Sequence, residues 1–273
     1  MEPALVMGVL NVTPDSFSDG GRFFDPEAAV AHGLAMAGEG ADVVDVGGES
    51  SRPGAVPVSE AEELARVVPV VAALAPHVRV SVDTVKPAVA EAALGAGASL
   101  VNDISARLWP VAAEAGAGWV ALHMQGTPAT MQRDPRYDDV VRDVFGFLLD
   151  RGREAKERGV AEVWLDPGIG FGKTLDHNLA LLGHLPALVS GGVPVLVGTS
   201  RKGFLGRLAA GADGEPVPVD RRLAGSLATA VWAMLGGAAM VRVHDVAATV
   251  QAASLVGDCR LPEPAAAPAG SRP

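Results

Sequence analysis

Cysteine and aromatic residues are scarce in this sequence. Cys259 is the only cysteine among 273 residues, so no internal disulfide can form, which is typical of a reducing compartment. Aromatic residues contribute 4% of the chain, whereas hydrophobic residues of all kinds contribute 49%. Valine, leucine and alanine must therefore fill most of the core, and this favours alanine-rich helices packed on apolar strands over aromatic-rich β-sandwich layers.

Basic clusters and long apolar runs are also lacking, and we expect no leader segment. The net charge of −10 and the pI near 5.0 argue against a nucleic-acid partner, which usually requires a basic patch. The first residues contain no basic region followed by a long apolar stretch, and no apolar run is long enough to cross a bilayer. We therefore expect a soluble, cytoplasmic protein with no membrane or nucleic-acid partner. An anionic substrate would be held by a few placed cations.

Short apolar runs alternate with helical patterns along the chain. The runs predict eight strands, at residues 5–10, 43–46, 78–82, 100–102, 119–124, 163–166, 193–197 and 240–243. The patterns between them predict helices at 26–37, 60–74, 87–95, 138–158, 178–188, 223–235 and 246–256. This alternation indicates a parallel sheet buried on both faces. Eight repeats favour an α/β fold of the (β/α)8 TIM-barrel type, a single domain over residues 1–260, and the Pro- and Ala-rich residues 261–273 are expected to form a disordered tail.

The barrel prediction directs attention to the polar residues that follow the strands, because active sites of such barrels lie at the carboxyl ends of the strands. Ten polar residues hold such positions, namely Asn11, Asp45, Asp83, Asn102, Asp166, Ser200, Arg201, Lys202, Arg242 and His244. Taken singly, each is as consistent with a helix cap or a turn. Their recurrence at one end of a barrel favours a functional site.

The spacing of Arg242 and His244 strengthens the case that these two residues belong to a functional site. Arg242 and His244 are two residues apart on a strand and point to one face, while the intervening valines point to the other. Two such donors at a barrel mouth suit a phosphate or pyrophosphate. The alternative is a surface salt bridge. Arg201 and Lys202 would add two cations at the end of the preceding strand.

The segment 166–174 ends in Gly-Lys-Thr and superficially matches a phosphate-binding loop. Pro167 occupies the place of the first glycine and has no N–H for a phosphate, which excludes that interpretation. The glycines are instead expected to let the loop pass close to a flat ligand. Lys173 and Asp176 are expected to lie outside the polar cluster and receive no role.

Two carboxylates and an amide follow the third, fourth and sixth predicted strands. Asp83 and Asp166 can accept the parallel N–H donors of an aminopyrimidine edge, and Asn102 can both donate and accept. These side chains therefore suit a ligand that presents an aminopyrimidine edge.

Eight motifs in order carry a resemblance to a known family. They are MGVLNVTPDSFSDGG at 7–21, DVGGESSRPG at 45–54, SVDT at 81–84, VNDI at 101–104, HMQG at 123–126, DPG at 166–168, SRK at 200–202 and RVHD at 242–245. From near its start to about residue 257 the chain resembles the dihydropteroate synthases. The resemblance implies a transferase of folate biosynthesis that joins 6-hydroxymethyl-7,8-dihydropterin pyrophosphate to p-aminobenzoate. The products would be 7,8-dihydropteroate and pyrophosphate, with Mg²⁺ assisting.

The resemblance also implies roles for individual residues. It assigns four side chains to the pterin edge, Asp83, Asn102, Asp166 and Lys202. Three residues would line the ring faces, Met124, Phe171 and Gly198. Three would receive the pyrophosphate, Arg242, His244 and the metal-adjacent Asn11. Five would frame the p-aminobenzoate pocket, Phe17, Ser51, Arg52, Pro53 and Ser200. Asp45 is a further predicted substrate contact, and the predicted catalytic residues are Asp83, Lys202, Arg242 and His244.

The family resemblance further implies a homodimer through residues 223–235 and 246–256. Two loops, 13–23 and 50–56, follow strand ends and carry predicted substrate contacts, so we expect them to close over the site and exclude water.

Three alternatives stay open. A pterin-binding barrel that transfers a methyl group from methyltetrahydrofolate to a corrinoid could share Asp83, Asn102 and Asp166, but it would not need a pyrophosphate site. A Schiff-base aldolase would use Lys202 as its nucleophile, which requires a desolvated lysine with a lowered pKa, and the sequence gives no sign of an apolar cage around it. A non-catalytic paralogue would bind the pterin without releasing pyrophosphate.

Overall fold

Eight parallel strands alternate with helices in the computed structural model, which describes residues 3–13, 25–52, 54–212 and 214–258. The strands are β1 Leu5–Asn11, β2 Val43–Gly47, β3 Arg79–Asp83, β4 Leu100–Asp103, β5 Gly118–Leu122, β6 Glu162–Asp166, β7 Leu196–Val197 and β8 Met240–Val243. All eight predicted strands are confirmed. The seventh is shorter than predicted, since only two of its five expected residues form a strand.

The sheet closes almost completely on itself. Its strand order is β6-β5-β4-β3-β2-β1-β8-β7, and every pair in it is parallel. A single bridge between Leu165 and Val195 joins the two outer strands, β6 and β7. The α/β prediction of a single (β/α)8 barrel is therefore confirmed, and the carboxyl ends of all eight strands surround one mouth.

Ten α-helices lie among the described residues. They are α1 Pro26–Gly38, α2 Glu60–Leu74, α3 Pro87–Gly95, α4 Trp109–Glu114, α5 Val140–Glu157, α6 Leu175–Gly183, α7 Leu185–Val189, α8 Gly203–Leu208, α9 Leu223–Leu235 and α10 Val246–Asp258. A short 3₁₀ helix spans Val219–Arg221. The helix predicted at 178–188 is two helices, because Pro186 at the start of α7 has no N–H to continue the bonding of α6. The short helices α4 and α8 were not predicted.

Side chains alternate between the outer and inner faces of each strand, and this alternation produces two separate hydrophobic cores. The outward strand faces and the helices form the larger core, which includes Val241 and Val243. Inside the barrel lies a smaller apolar layer from seven strands, Met7, Val43, Leu100, Val120, Trp164, Leu196 and Met240. Residues two positions further along these strands lie one layer closer to the mouth, because alternate side chains share a face. Asp45, Asn102 and Arg242 occupy that next layer, and the predicted inward orientation of Arg242 is thus confirmed.

An ion pair closes the opposite end of the barrel. Arg79 at the start of β3 donates to Glu162 at the start of β6 over 3.1 Å, although these strands are not neighbours in the sheet. Trp164 Nε1 donates to the same carboxylate over 2.7 Å. This ion pair and Trp164 lie at the end of the barrel away from the mouth. The described helices include none that is long and apolar enough to span a membrane. The predicted tail, 261–273, and residues 14–23 of the first predicted loop lie outside the described residues.

Candidate active site

The guanidinium of Arg242 lies at the centre of the barrel mouth. Its Nε donates to Asp45 Oδ2 over 2.6 Å and its Nη2 donates to Asp83 Oδ2 over 2.7 Å, so it joins β8 to β2 and β3. Asp45 is fully buried, and the Arg242 side chain is 20% exposed. Burial works against the charge of Arg242, but the two carboxylates outweigh it and hold the pKa of the guanidinium above its ordinary value. The surface-salt-bridge alternative is therefore wrong for Arg242.

Hydrogen-bond acceptors line one wall beside this cation. Asn102 Nδ2 donates to Asp45 Oδ2 over 2.9 Å, and this bond fixes the orientation of both side chains. The remaining oxygens, Asp45 Oδ1 and Asn102 Oδ1, are buried without a hydrogen-bond partner in the described ranges, as is Ser81 Oγ beneath them. Buried polar atoms without partners are costly, and the two acceptors would be satisfied by a molecule with N–H or O–H donors.

Asp83 differs from an ordinary surface aspartate. Burial, opposed by the Arg242 charge and reinforced by the Asp45 carboxylate, raises the pKa of Asp83 to about 7. Its side chain is nevertheless 14% exposed, so it reaches the cavity at the mouth. A carboxyl group that titrates near neutral pH in a cleft is a typical functional group.

Lys202 forms the opposite wall of the mouth. Its Nζ donates to the Ile169 carbonyl and lies 4.7 Å from the centre of the Phe171 ring. Burial lowers the pKa of Lys202 to about 8, even though Asp166 beside it acts in the opposite direction. The expectation that Lys202 lacks a desolvating cage is therefore wrong, because Phe171 and the loop backbone supply one.

Asp166 has two roles that the sequence offered as alternatives. Its Oδ1 accepts a hydrogen bond from Gly168 N over 2.7 Å and so forms the turn after β6. The side chain is also almost completely buried, and burial raises its pKa against the opposing charge of Lys202. Asp166 is both a turn residue and part of the polar cluster.

The glycines after β6 serve a different contact from the one expected. Gly168 and Gly172 have φ angles of +64° and +63°, and a side chain on either would collide with the carbonyl oxygen of His123 or Gln125 respectively. The loop after β6 thus runs directly against the loop after β5. At Gly168 and Gly172 the close approach is to the protein backbone, whereas the sequence led us to expect a close approach to a flat ligand.

Lys173 lies beside the site and is buried, contrary to expectation. Only 1% of the residue is exposed, and its Nζ contacts His123 Nδ1 at 3.1 Å, His123 O at 3.1 Å and Phe171 O at 2.9 Å. The glycine-rich loop turns this side chain inward, beneath the contact between the two loops. Asp176 lies exposed in the first turn of α6, so the prediction that it stands outside the cluster is confirmed.

Ser200 and His244 form a third group at the mouth. Ser200 Oγ accepts a hydrogen bond from His244 N over 3.1 Å and lies 3.0 Å from His244 Nδ1, so its own hydrogen can go to that nitrogen. When Ser200 donates in this way, the ring proton lies on Nε2, which then becomes a donor. Burial, together with the charges of Arg242, Arg201 and Arg52, lowers the pKa of His244 to about 4. His244 is therefore a neutral donor at neutral pH.

Arg201 does not add a free cation to the site. Its Nε donates to Asp245 Oδ2 over 3.0 Å and its Nη2 to Asp245 Oδ1 over 2.5 Å. Both cations expected at this strand end are present, but Arg201 is paired with Asp245 and Lys202 is the one that faces the cluster.

The other predicted residues lie around these groups. Met124 and Ser51 line a cavity of about 320 Å³ together with Asp83. A side chain at Gly198 would lie 3.6 Å from Arg242 Cβ and 3.8 Å from Lys202 Nζ, so this glycine stands between the two cations. Asn11 is the last residue of β1, and Arg52 is exposed in the loop after β2. Phe17 and Pro53 lie outside the described residues.

The chain is similar to known proteins in both sequence and fold. The profile of the pterin-binding enzymes matches residues 7–244. The dihydropteroate synthase of Mycobacterium leprae is 50% identical over 266 residues, which cover 94% of each chain. The chain belongs to the pterin-binding enzyme family. The resemblance inferred from the eight motifs is thereby confirmed.

Solved structures of the family agree closely in fold. A dihydropteroate synthase of Yersinia pestis with a sulfonamide drug complex has a TM-score of 0.85 and 46% identity, covering 94% of this chain and 93% of that one. The Xanthomonas albilineans enzyme with 4-aminobenzoic acid gives a TM-score of 0.84 and 46% identity. The same enzyme in complex with 7,8-dihydropteroate gives a TM-score of 0.81 and 44% identity. Both comparisons cover 93% of this chain and 92% of the other.

Proposed function

We propose that the protein is a dihydropteroate synthase, a transferase that joins 6-hydroxymethyl-7,8-dihydropterin pyrophosphate to p-aminobenzoate in folate biosynthesis. The observation that carries the proposal is the Asp45–Arg242–Asp83 network, which sets a cation between a wall of acceptors and the His244 donor. Relatives named dihydropteroate synthase, similar over nearly the whole chain, support the synthase over methyl transfer, aldol chemistry or binding alone.

The pterin would lie between the acceptor wall and Lys202. Asp83, Asn102 and Asp166 supply acceptors for its ring and amino N–H groups, and Lys202 supplies a donor for its carbonyl oxygen. Met124, Phe171 and Gly198 would contact the ring faces. Phe171 lies under the Lys202 ammonium, so ring binding and cation placement depend on the same side chain.

The pyrophosphate would bind toward β8. Arg242 uses Nε and Nη2 for Asp45 and Asp83, which leaves Nη1 without a hydrogen bond to any described residue. His244 offers Nε2–H, and the charges of Arg52 and Arg201 act on the same region. Preorganised donors directed at a leaving group stabilise the charge that develops on it.

The reaction follows from this placement. Breaking the C–O bond leaves the electron pair on the pyrophosphate and a positive charge on the pterin methylene carbon. Arg242 and His244 stabilise the leaving group. The negative charge of the Asp83 carboxylate beside the pterin stabilises the positive charge on the ring and its methylene carbon. The amine of p-aminobenzoate forms the new C–N bond and then releases its proton. An aryl ammonium is acidic enough to give this proton to water, so no strong base is required.

Mg²⁺ is proposed to enter with the pyrophosphate. Magnesium prefers oxygen ligands and commonly keeps waters and substrate phosphates in its coordination shell. Within the described ranges, no group of three or more His, Cys, Asp or Glu residues could hold a metal ion. The amide oxygen of Asn11 at the end of β1 fits as a single protein ligand for such a metal. When bound, Mg²⁺ would neutralise part of the leaving-group charge.

The p-aminobenzoate pocket would be framed by Ser51, Arg52 and Ser200, with Phe17 and Pro53 added from the early loops. Ser51 already lines the cavity that Asp83 reaches, and Arg52 acts electrostatically on His244. Closure of loops 13–23 and 50–56 over this pocket is proposed to keep water from the carbocation-like centre.

A homodimer through α9 and α10 is proposed from an exposed apolar surface. The two helices pack against each other, and they expose Trp232, Leu235 and Leu255 at 61%, 69% and 61% respectively. Large exposed apolar side chains close together are typical of an interface.

The test is a turnover assay with dihydropterin pyrophosphate, p-aminobenzoate and Mg²⁺, in which dihydropteroate is detected by mass. We expect product with the wild type and its loss in Lys202→Ala. Pterin binding without product would favour the paralogue or methyl transfer. Trapping of Lys202 by borohydride with a carbonyl substrate would favour the aldolase. Failure to bind pterin at all would overturn the proposal.

A further inference from the structure

A buried lysine lies beside the mouth, and the proposed chemistry does not use it. The ammonium group of Lys173 has three N–H donors, and three protein acceptors surround it, His123 Nδ1, His123 O and Phe171 O. All of its donors are therefore used within the protein. Lys173 has no donor left for a substrate, and so its role must be exerted through its neighbours.

We propose that Lys173 is a positioning residue of the pterin subsite, which fixes Lys202 by tying the loop after β5 to the loop after β6. The choice of ligand in the test rests on the proposed function, whereas the effect on Lys202 is a property of the protein alone.

The course of the loop after β6 supports this role. Residues 168–172 lie between two partners, the backbone at His123–Gln125 on one side and Lys202 on the other. Gly168 and Gly172 leave no space against the first partner, and a side chain at Gly170 would lie 3.1 Å from Lys202 Cδ. Lys173 bonds to the backbone of both loops, so it holds the stretch that supplies the contacts of Lys202.

Lys202 depends on that stretch for its burial and for one hydrogen bond. Its Nζ donates to the Ile169 carbonyl and faces the Phe171 ring, and Phe171 is itself held at its carbonyl by Lys173. A shift of the stretch would admit water to the Lys202 ammonium. Because burial is the main cause of its lowered pKa, water entry would raise that pKa toward its ordinary value.

Charged groups around the two lysines come from several elements. Lys202 faces Asp166 from β6, Asp83 from β3 and Arg242 from β8. Lys173 is influenced by Asp166 and by Lys202, and burial lowers its pKa to about 7. The His123 ring next to it stays neutral, since burial and then the Lys173 charge lower the pKa of His123 to about 3.

The chain allows an unusually direct test, because it contains only four lysines, Lys86, Lys156, Lys173 and Lys202. Protein labelled with ¹³C at the lysine Cε gives four NMR signals, which single Lys→Met variants assign. In the wild type we expect Lys202 to titrate near pH 8. Lys173→Met and Lys173→Gln both remove the Lys173 charge, which acts on Lys202. We expect the Lys202 titration to move upward further in Lys173→Met, toward that of an exposed lysine, because this variant also loses the donor that ties the loops. An unchanged Lys202 titration in Lys173→Met would overturn the proposal, whether or not the protein turns over.

Pterin affinity gives the second readout. We expect Lys173→Met to raise the Kd and KM for the dihydropterin pyrophosphate by about tenfold to a hundredfold, the scale for misplacing a binding group by about 1 Å. The KM for p-aminobenzoate and kcat should change much less. A role limited to stability would instead reduce the folded fraction and leave the Lys202 titration in place. Absence of turnover in the wild type would count against the proposed function and not against this inference.

Two matched variants complete the design. Tyr137→Phe removes a different tie to the same stretch, the 2.8 Å bond from Tyr137 Oη to Gly172 O, and leaves all three bonds of Lys173 in place. We expect it to leave the Lys202 titration near that of the wild type. Lys173→Gln keeps an amide donor in the pocket, so it should give an intermediate pterin affinity. It also keeps the test informative if the methionine variant folds poorly.

Discussion

The Arg242 guanidinium bonds to the Asp45 carboxylate inside the barrel over 2.6 Å, although the two residues are 197 positions apart in the chain. They lie on β8 and β2, which are separated in the sheet by β1. The contact therefore depends on the pairing of β1 with both β2 and β8, which brings the first and last strands of the chain together. It means that the cation proposed to meet the pyrophosphate is oriented by the protein before any substrate arrives, as electrostatic preorganisation requires.

The Arg242→Ala variant tests both consequences of this contact. We expect kcat/KM for the pterin substrate to fall by about 10²–10³-fold, the cost of losing one preorganised donor. Stability should fall by about 3–5 kcal/mol, because Asp45 is left buried without its cation. Steady-state kinetics and urea unfolding measure the two effects separately.

A second substitution separates charge burial from catalysis in that variant. Arg242→Ala combined with Asp45→Asn removes the uncompensated carboxylate, so it should recover part of the stability and none of the turnover. Recovery of turnover in the double variant would contradict the assigned role of Arg242. Arg201→Ala is the matched arginine control, since its guanidinium bonds to Asp245, and we expect a much smaller loss of activity.

Lys202 predicts an alkaline limit for pterin binding. Because its pKa lies at about 8, kcat/KM for the pterin substrate should decline as the pH rises through that value and the ammonium donor is lost. Lys202→Arg keeps a charged group throughout this range. The alkaline decline should then disappear from the pH profile of the variant, even where its absolute rate is lower. A decline at the same pH in Lys202→Arg would assign it to another group.

Several features of this site follow from local sequence, and others do not. The period of two placed Arg242 and the strand-end carboxylates on the inner face, because that pattern depends only on strand geometry. The pairing of Arg201 with Asp245 was missed, since its partner lies 44 residues away. The neutral state of His244 was missed for a similar reason, because burial and three arginines from separate segments produce it.

Lys173 shows most clearly what the local sequence could not predict. Lysine is almost never fully buried unless it is paired, and the partners at His123 lie 50 residues away in another loop. The glycines around Lys173 were the available signal, but their close approach was assigned to a ligand. The division between α6 and α7 was visible in principle, because Pro186 stands inside the predicted helix.

His244 predicts a loss of stability in mild acid. Its folded-state pKa of about 4 lies below the ordinary value of 6.5, so between these two values the unfolded chain binds a proton that the folded protein does not. This contribution to stability is fully present above pH 6.5 and is lost as the pH falls through about 4. We expect His244→Gln to show a smaller drop in unfolding free energy between pH 7 and pH 4.5.

Substitution of an exposed histidine provides the control for His244→Gln. His77→Gln replaces an exposed histidine by the same residue type and serves as the matched substitution. His123 remains in both variants and titrates with the same sign, so some acid sensitivity should persist. Equal pH dependence in His244→Gln and the wild type would contradict a buried neutral ring.

Trp232 predicts how the proposed dimer can be dissociated. The side chain is 61% exposed on α9, so Trp232→Glu should leave the fold of one protomer intact. In a dimer it would bury an unpaired charge, and we expect light scattering to show mainly monomer at micromolar concentration. Leu179→Glu, at an exposed position on α6, should leave the mass unchanged. A wild-type protein that is already monomeric would contradict the proposed dimer.

Alanine substitutions at Gly168 and Gly159 separate two contributions to the loss of stability. One is the collision between the loops after β5 and β6, and the other is the strain of a positive φ angle. Both have positive φ, +64° and +92°, so alanine is strained at either position. At Gly159 nothing lies within 4 Å of an added Cβ, and we expect Gly159→Ala to cost only about 1–2 kcal/mol. At Gly168 the Cβ would also strike the His123 carbonyl, which forces the loops after β5 and β6 apart. Gly168→Ala should therefore lose more stability in urea unfolding and should also weaken pterin binding in calorimetry. Equal losses in the two variants would mean that the contact between the loops contributes nothing beyond the backbone strain.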